Sequence, residues 1–289
     1  MQTILICPGD RPAVGYLAQS LPLVVLPVLG ESLIALWIRS LAENGVKAAL
    51  VHATDRPELV RRELGDGSRW GVSVEVRAEL TEFSVAEARQ RQAQAGSPDG
   101  RSASDVYMVD HLPGLPQSHL FQSYRTWFTS LLSWMPLAAQ SKPIGLREIR
   151  PQIWCGRRVQ LAPTAHLQAP CWIGDHVQIG PHAQIGPGAV LEHGAVVDQA
   201  AEVEASIIGP DTFVGSLTRV AHSIACGNTL IDWETGSCTQ VPDPFLLCSL
   251  GPRALTDGQD RSQEHSGRRW WNLWRRPWER LIAAAAKPK

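Results

Sequence analysis

The chain has 289 residues, of which 27 are basic and 28 acidic, and its formal net charge at pH 7 is -1. This balance excludes the strongly basic surface on which general nucleic-acid binding depends, so we expect no nucleic-acid partner. The length exceeds that of most single domains, and the residue pattern changes near position 148, which predicts more than one domain.

Cysteine usage and hydropathy bear on the compartment. The six cysteines show no C-x-x-C spacing, which favours free thiols in a reducing cytosol over a disulfide framework or a metal site. No apolar run reaches the roughly 20 residues of a membrane span, and the N-terminus has a strand pattern instead of a basic leader. We therefore predict a cytoplasmic protein.

The first third of the chain alternates short apolar runs with helical patterns. Residues 2–7, 46–52 and 72–76 are predicted strands, and residues 33–41 and 57–64 are predicted helices. This order is typical of a mostly parallel sheet covered by helices. Sheets of this kind bind ligands beside the carboxyl ends of their strands.

Two segments of this region resemble a known family. Residues 21–34, LPLVVLPVLGESLI, are similar to the PKPLLPVAGKPLI segment of sugar-1-phosphate nucleotidyltransferases, also called NDP-sugar pyrophosphorylases. Residues 64–75, LGDGSRWGVSVE, resemble the YGDGSRWGVSIEY stretch of the same family. The resemblance implies a shortened Rossmann-like nucleotidyltransferase domain over 1–148, a nucleotide or NDP-sugar ligand, and a role in nucleotide-sugar or cell-surface polysaccharide biosynthesis.

The segments that carry chemistry in that family differ here. The family's glycine-rich loop, A-G-G-x-G-T-R-L, corresponds to CPGDRPAV, so the resemblance leaves Gly9, Asp10 and Arg11 as a degenerate nucleotide-binding loop. The family's arginine and lysine correspond to Ala13 and Leu23, which cannot supply positive charge to phosphates. We assign no catalytic residue and leave enzymatic activity open, with an inactive binding or scaffold protein as the favoured hypothesis.

The metal site and the sugar-binding portion are also reduced. A short predicted strand at 105–110 would place Asp110 where the family holds its magnesium ion. No cofactor is therefore predicted with certainty, and Mg²⁺ is expected only if activity is retained. Residues 90–104 are polar and predict a flexible surface connection.

Residues 113–149 have room for little more than one helix. Aromatic and aliphatic side chains recur there at helical spacing and are predicted to pack in a core. They are Phe121, Tyr124, Phe128, Leu131 and Met135.

A repeat of six residues follows. The aliphatic positions are Leu161, Leu167, Ile173, Ile179, Ile185, Leu191, Val197 and Val203. This period predicts triangular coils with one short strand on each side, a parallel β-helix over 149–250. Its left-handed sense is what the resemblance implies. Between Val203 and Ile208 the spacing shortens to five, which predicts a corner near 204–206 that absorbs the lost residue.

Hexapeptide repeats occur in acyltransferases as well as nucleotidyltransferases, so the fold does not decide the function. Such acyltransferases use a histidine as general base, and this region contains His166, His176, His182, His193 and His222. No insertion interrupts the coils, so we predict surface histidines at corners. An active sugar-1-phosphate nucleotidyltransferase and a hexapeptide-repeat acyltransferase remain the alternatives.

The C-terminal segment has a composition of its own. Residues 251–267 form a predicted polar linker, and residues 268–289 are rich in tryptophan and arginine. The residues expected to make contact are Trp270, Trp271, Trp274, Arg275, Arg276 and Trp278. This mixture favours a membrane surface or the groove of a glycan-assembly protein, which would place the protein at the inner face of the membrane. The alternative for this segment is a cap on the open end of the solenoid. Association of the protein into a homo-oligomer is a separate expectation.

Overall fold

The computed structural model describes residues 2–95, 105–116, 119–141 and 145–251. Residues up to Ser249 form one compact unit, and a second begins at Leu250. The predicted tail, most of its linker and residues 96–104 of the polar connection lie outside the described residues. The predicted boundaries at 148 and 250 stay predictions.

The described residues of the N-terminal part form six strands and four α-helices. The strands are β1 (Gln2–Ile6), β2 (Pro27–Val28), β3 (Glu31–Ser32), β4 (Ala48–Ala53), β5 (Ser73–Ala78) and β6 (Asp105–Met108), and the helices are α1 (Leu33–Glu43), α2 (Pro57–Leu64), α3 (Val85–Ala95) and α4 (Tyr124–Gln140). β2 and β3 form a small hairpin. The other four strands form a parallel sheet in the order β5, β4, β1, β6.

The local sequence explains these elements. Leu5 of β1 and Val51 of β4 are fully buried. A parallel sheet covered on both faces buries its strands, and their sequences are therefore continuous apolar runs. Ser32 caps α1, with its Oγ accepting from the Ala35 N–H at 3.3 Å. The predicted order of strands and helices is confirmed. One prediction is wrong in part, since residues 90–95 continue α3 instead of beginning a surface connection.

The C-terminal part is built from short strands. They are β7 (Arg147–Arg150), β8 (Ile153–Cys155), β9 (Gln160–Leu161), β10 (His166–Leu167), β11 (Cys171–Ile173), β12 (Gln178–Ile179), β13 (Gln184–Ile185), β14 (Ala189–Leu191), β15 (Val196–Val197), β16 (Glu202–Glu204), β17 (Ile207–Ile208), β18 (Thr212–Val214), β19 (Arg219–Ala221), β20 (Ser223–Cys226), β21 (Thr229–Asp232), β22 (Cys238–Gln240) and β23 (Leu247–Ser249). Every third strand from β8 to β20 pairs in parallel, which forms three sheets. This part of the chain is thus a three-sided parallel β-helix, as the six-residue period predicts.

The repeated aliphatic residues line the axis of this helix. Six of the eight predicted core positions, from Ile173 to Val203, are buried in one cluster, and Leu167 packs against it partly buried. Leu161 differs, with 41% of its surface exposed. It belongs to the first coil, at the edge of its sheet, so no earlier described coil covers it.

The predicted short corner is present, and a second one follows it. In a full coil, paired core positions such as Ile173 and Leu191 are eighteen residues apart. The next pair, Leu191 and Ile208, is only seventeen residues apart. The chain turns at Ala205, which has a positive φ of 42°. A second turn at His222, with φ 50°, shortens the next coil. Ala225 therefore faces the axial core, while Ile224 lies in the core shared with the N-terminal part.

Beyond the last parallel coil the pairing changes. β20, β21 and β22 form an antiparallel meander, and β23 pairs antiparallel with β18. The parallel coils of the predicted 149–250 segment thus end near residue 226, and the remaining strands close that end of the β-helix.

One hydrophobic core joins the two parts. Outward-facing residues of the β8–β20 sheet, among them Trp154 and Trp172, share a buried cluster with α1 and α4. The residues of the 113–149 segment predicted to pack in a core are all buried. The helix that carries most of them covers a face of the β-helix as well as the α/β part.

Candidate functional site

The candidate site is a cleft at the carboxyl ends of the parallel strands, where β1, β4 and β5 lead into their loops. Its volume is about 470 Å³. It is lined by Gly9, Asp10, Gly15, Ala18, Thr54, Asp55, Arg56, Leu80 and Glu82. Open parallel sheets present their ligand sites at this edge, because the loops of several strands converge there.

The loop after β1 is held by a carboxylate from the loop after β5. Glu82 accepts a hydrogen bond from the Gly9 N–H at 2.8 Å. The guanidinium of Arg11 donates to both Glu82 oxygens, at 2.8 and 2.6 Å. Two of the three residues predicted to form a degenerate nucleotide loop therefore bind an acidic side chain of the same protein. Asp10, the third, is exposed at the cleft.

This contact fixes the charge of both partners. The bond from Arg11 holds the pKa of the Glu82 carboxyl below its usual range, against the opposing effect of partial burial. The same bond raises the pKa of Arg11. Bidentate arginine–carboxylate pairs are among the strongest polar contacts in proteins, so an anionic ligand would have to displace Glu82 to reach these donors.

Arg56, the arginine that lines the cleft, is also paired with a carboxylate. It donates through Nε and one terminal nitrogen to the two oxygens of Asp55, each at 2.8 Å. It also donates to the carbonyl of Ala18 at 2.6 Å. Its charge is neutralised locally, and its side chain ties the loop after β4 to the loop after β1.

Asp110 lies just beyond β6. Its two oxygens contact the Nδ1 atoms of His111, at 2.9 Å, and of His119, at 3.4 Å. Burial opposes ionisation of this carboxyl, but the contacts with the two histidines outweigh it and lower the pKa of Asp110. Asp110 also belongs to the electrostatic surroundings of Arg11 and Glu82.

These residues do not fit a magnesium site. Mg²⁺ is held by several oxygen ligands in near-octahedral geometry, whereas both oxygens of Asp110 face imidazole nitrogens. Over the described ranges, no group of three or more His, Cys, Asp and Glu side chains could hold a metal ion.

The positions that lack the family's two cations lie in different surroundings. Leu23 is only 1% exposed and belongs to the core, and Ala13 is exposed on a short 3₁₀ turn. Within the cleft, Thr54 has a buried Oγ that lacks a hydrogen-bond partner. The cleft thus combines paired charges with one unpartnered hydroxyl and exposes no unpaired arginine among the residues that line it.

Sequence reasoning missed the residues that decide this geometry. Glu82, His111 and His119 lie outside every motif quoted for the family resemblance. Their position in the sequence could have indicated them, since each follows a strand at the sheet edge where ligands bind. That position predicts where the side chain lies but not which group it bonds to.

The five solenoid histidines are all exposed. His176 and His182 occupy successive corners, both with a φ of 60°. His166 differs from the expectation, since it lies in strand β10. His193 has a carboxylate nearby, with its Nε2 atom 3.9 Å from Asp211 Oδ2 on the next coil.

The predicted membrane contact is not addressed by the described residues, because the tail lies outside them. Among the described helices, none has the length and apolar character needed to cross a bilayer.

No family model matches the chain, and no curated protein matches it. Among solved structures, the chain is similar to a mutant of perosamine N-acetyltransferase from Caulobacter crescentus, solved in complex with CoA and GDP-perosamine. The identity is 16%, the match covers 78% of this chain and 93% of that chain, and the TM-score is 0.18.

Proposed function

We propose that this chain is a binding or scaffold protein of nucleotide-sugar or cell-surface polysaccharide biosynthesis that has lost pyrophosphorylase chemistry. The observation that carries the proposal is the contact of Glu82 with Arg11 and the Gly9 N–H. The pathway, the nucleotidyltransferase-like ancestry and the left-handed sense of the β-helix rest on the sequence resemblance.

Electrostatics support the loss of chemistry. Nucleotidyl transfer places a polyanion in the cleft, and its transition state needs cations that are already in position. Arg11 and Arg56 are each neutralised by a carboxylate, and Leu23 offers only an apolar side chain. A triphosphate would also meet the carboxylates of Asp10 and Glu82. Repulsion of this kind disfavours both binding and transfer.

The test is a pyrophosphate-release assay with the full chain, nucleoside triphosphates and sugar-1-phosphates, with and without Mg²⁺. We expect no turnover above background. Turnover of about 1 to 10³ per second, the usual range for enzymes, would contradict the proposal. Calorimetric titration with nucleoside triphosphates and NDP-sugars addresses binding separately, and binding of an NDP-sugar without turnover is the expected result.

A second candidate, a hexapeptide-repeat acyltransferase, is favoured by one observation. His193 is half-exposed at a corner of the β-helix and has Asp211 beside it. A general base needs an imidazole oriented by a second group, and this pair offers the beginning of such an arrangement. No extruded loop interrupts the described coils between Ile153 and Val203, which weighs against an acyl-donor site.

Acyl transfer from acetyl-CoA to amino sugars or their nucleotide derivatives tests this candidate, with thiol release as the signal. If it is correct, His193→Ala should reduce the rate at least about 10²-fold, as expected for loss of a general base. His182→Ala is the matched control, because His182 is also an exposed corner histidine. Absence of thiol release from wild-type protein would remove the candidate.

A further inference from the structure

Glu192 is a fully buried carboxylate that joins the two parts of the compact unit. It follows β14 at a corner of the β-helix and is 0% exposed. Its two oxygens accept hydrogen bonds from the backbone N–H groups of Leu29 and Gly30, each at 2.8 Å. These two residues form the turn between β2 and β3 and have φ values of 52° and 94°. The left-handed turn directs both N–H groups at one side chain.

Among the described residues, none supplies a cation that balances the charge of Glu192. Cys226 of β20 lies close enough for the charge of Glu192 to raise the pKa of its thiol, but a thiol carries no positive charge. On the hairpin, Glu31 is paired with Arg39 of α1. On the neighbouring corners, His193 lies beside Asp211. The two N–H groups are therefore the main stabilisation of a buried negative charge, and an uncompensated buried charge costs several kcal/mol.

Burial consequently dominates the ionisation of this group. It raises the pKa of Glu192 from 4.5 to about 7, although the hydrogen bonds from Gly30 and Leu29 act in the opposite direction. A protonated Glu192 keeps a carbonyl oxygen that can accept one N–H bond, and it removes the charge from the interior.

We propose that Glu192 makes the docking of the β2–β3 hairpin on the β-helix depend on pH near neutrality, with the tightest docking when its carboxyl is protonated. A hairpin that leaves the coil returns Glu192 to water. The docked form therefore binds the proton more tightly than the released form.

The sign follows from linkage. The raised pKa in the docked form means that docking is most favourable below pH 4.5 and weakens as the pH rises toward 7. Above pH 7 both forms are ionised and the dependence ends. The hairpin leads directly into α1, whose Trp37 donates to the carbonyl of His111. A loosened hairpin would therefore release the N-terminal end of α1.

Amide hydrogen exchange of the full chain tests the proposal between pH 5 and 8. Protection factors of Leu29 and Gly30, corrected for the intrinsic pH dependence of exchange, should fall by a factor on the order of 10² across this range. Glu192→Gln cannot titrate, so its protection factors should be flat. Glu202→Gln is the matched control, since it makes the same change at a partly exposed position of β16, and it should keep the wild-type dependence.

Two results would overturn the proposal. One is a flat wild-type profile, and the other is an equal pH dependence in wild type and Glu192→Gln. If the variant does not fold, the ¹³C resonance of the Glu192 carboxyl in wild-type protein decides the question. A titration midpoint near 7 supports the proposal, whereas a midpoint below about 5 contradicts it.

Discussion

The rings of Phe128 and Trp233 stack with their centroids 4.4 Å apart and their planes inclined by 16°. Phe128 belongs to α4, and Trp233 directly follows β21. Trp233 also donates from Nε1 to the carbonyl of Ala205 at 2.8 Å, in the first short corner. Its ring contacts His222, in the second short corner, edge to face. One side chain thus connects α4 with both places where the coils lose a residue.

We therefore expect Trp233→Ala to lower the free energy of unfolding by about 3–5 kcal/mol, since a large buried ring is lost. Trp233→Phe keeps a ring for stacking but leaves the Ala205 carbonyl without its donor, which should cost about 1–3 kcal/mol. Urea unfolding followed by circular dichroism measures both, because eleven tryptophans would mix in a fluorescence signal.

Leu217→Ala is the control for this series. Leu217 is 82% exposed, so its loss should change the unfolding free energy by less than about 0.5 kcal/mol. An equal loss in the Trp233→Ala and Leu217→Ala variants would show that Trp233 does not connect these elements.

Ile185→Asp should unfold the β-helix. Ile185 is 0% exposed within the axial core, where an aspartate would have neither water nor a partner. Gln184→Asp tests the adjacent position of the same strand, whose side chain is exposed, and should melt close to wild type. If both variants melt alike, the assigned inward and outward faces of β13 are wrong.

The period of six could predict this core because each coil repeats the same local geometry. Every sixth residue then meets its neighbours at fixed spacing, whatever the rest of the chain does. The second short corner was hidden, because the period of six from Val220 reaches Cys226 and the two residues before it, Ile224 and Ala225, are both apolar candidates for the core. Only the pairing of Ile208 with Ala225 decides between them.

The cleft could be predicted in location but not in chemistry. The degenerate loop is visible in the sequence, whereas the partner of Arg11 is 71 residues away in a loop without a motif. Glu192 was hidden for a related reason. It occupies the repeat position that is glycine in coils such as Gly174 and Gly180, and its role depends on a turn that lies 163 residues earlier.

Glu82→Gln should increase the affinity of the cleft for inorganic pyrophosphate. The substitution removes the charge that neutralises Arg11 and opposes an anion, so a gain of at least about tenfold is expected, equivalent to 1.4 kcal/mol. Isothermal calorimetry on the full chain measures it. Glu87→Gln is the matched control, because Glu87 is exposed and bonds to Ser84 outside the cleft.

The same variant should also change how the free energy of unfolding depends on pH under acidic conditions. The pKa of Glu82 is lower in the folded protein than its ordinary value of 4.5. Its ionised carboxylate therefore contributes to the free energy of unfolding above pH 4.5, and this contribution is lost as the pH falls through the folded-state pKa. Glu82→Gln should therefore lose less stability on acidification than wild type. Identical pyrophosphate affinities and identical losses of stability at acid pH in the two proteins would show that Glu82 does not oppose anion binding in the cleft.

The last prediction concerns residues 268–289, which lie outside the described residues. Their first thirteen positions, 268–280, contain five arginines and one glutamate, together with four tryptophans. Each basic residue near an anionic membrane contributes about 1 kcal/mol, and tryptophan favours the interface. Deletion of 268–289 should therefore abolish flotation with phosphatidylserine-containing vesicles, and wild-type flotation should weaken as salt rises. The melting temperature should change little.

A variant with Arg275 and Arg276 replaced by glutamine separates charge from apolar insertion, and it should bind more weakly while keeping some affinity. Loss of many degrees on deletion, without vesicle binding at low salt, would favour the cap on the solenoid instead.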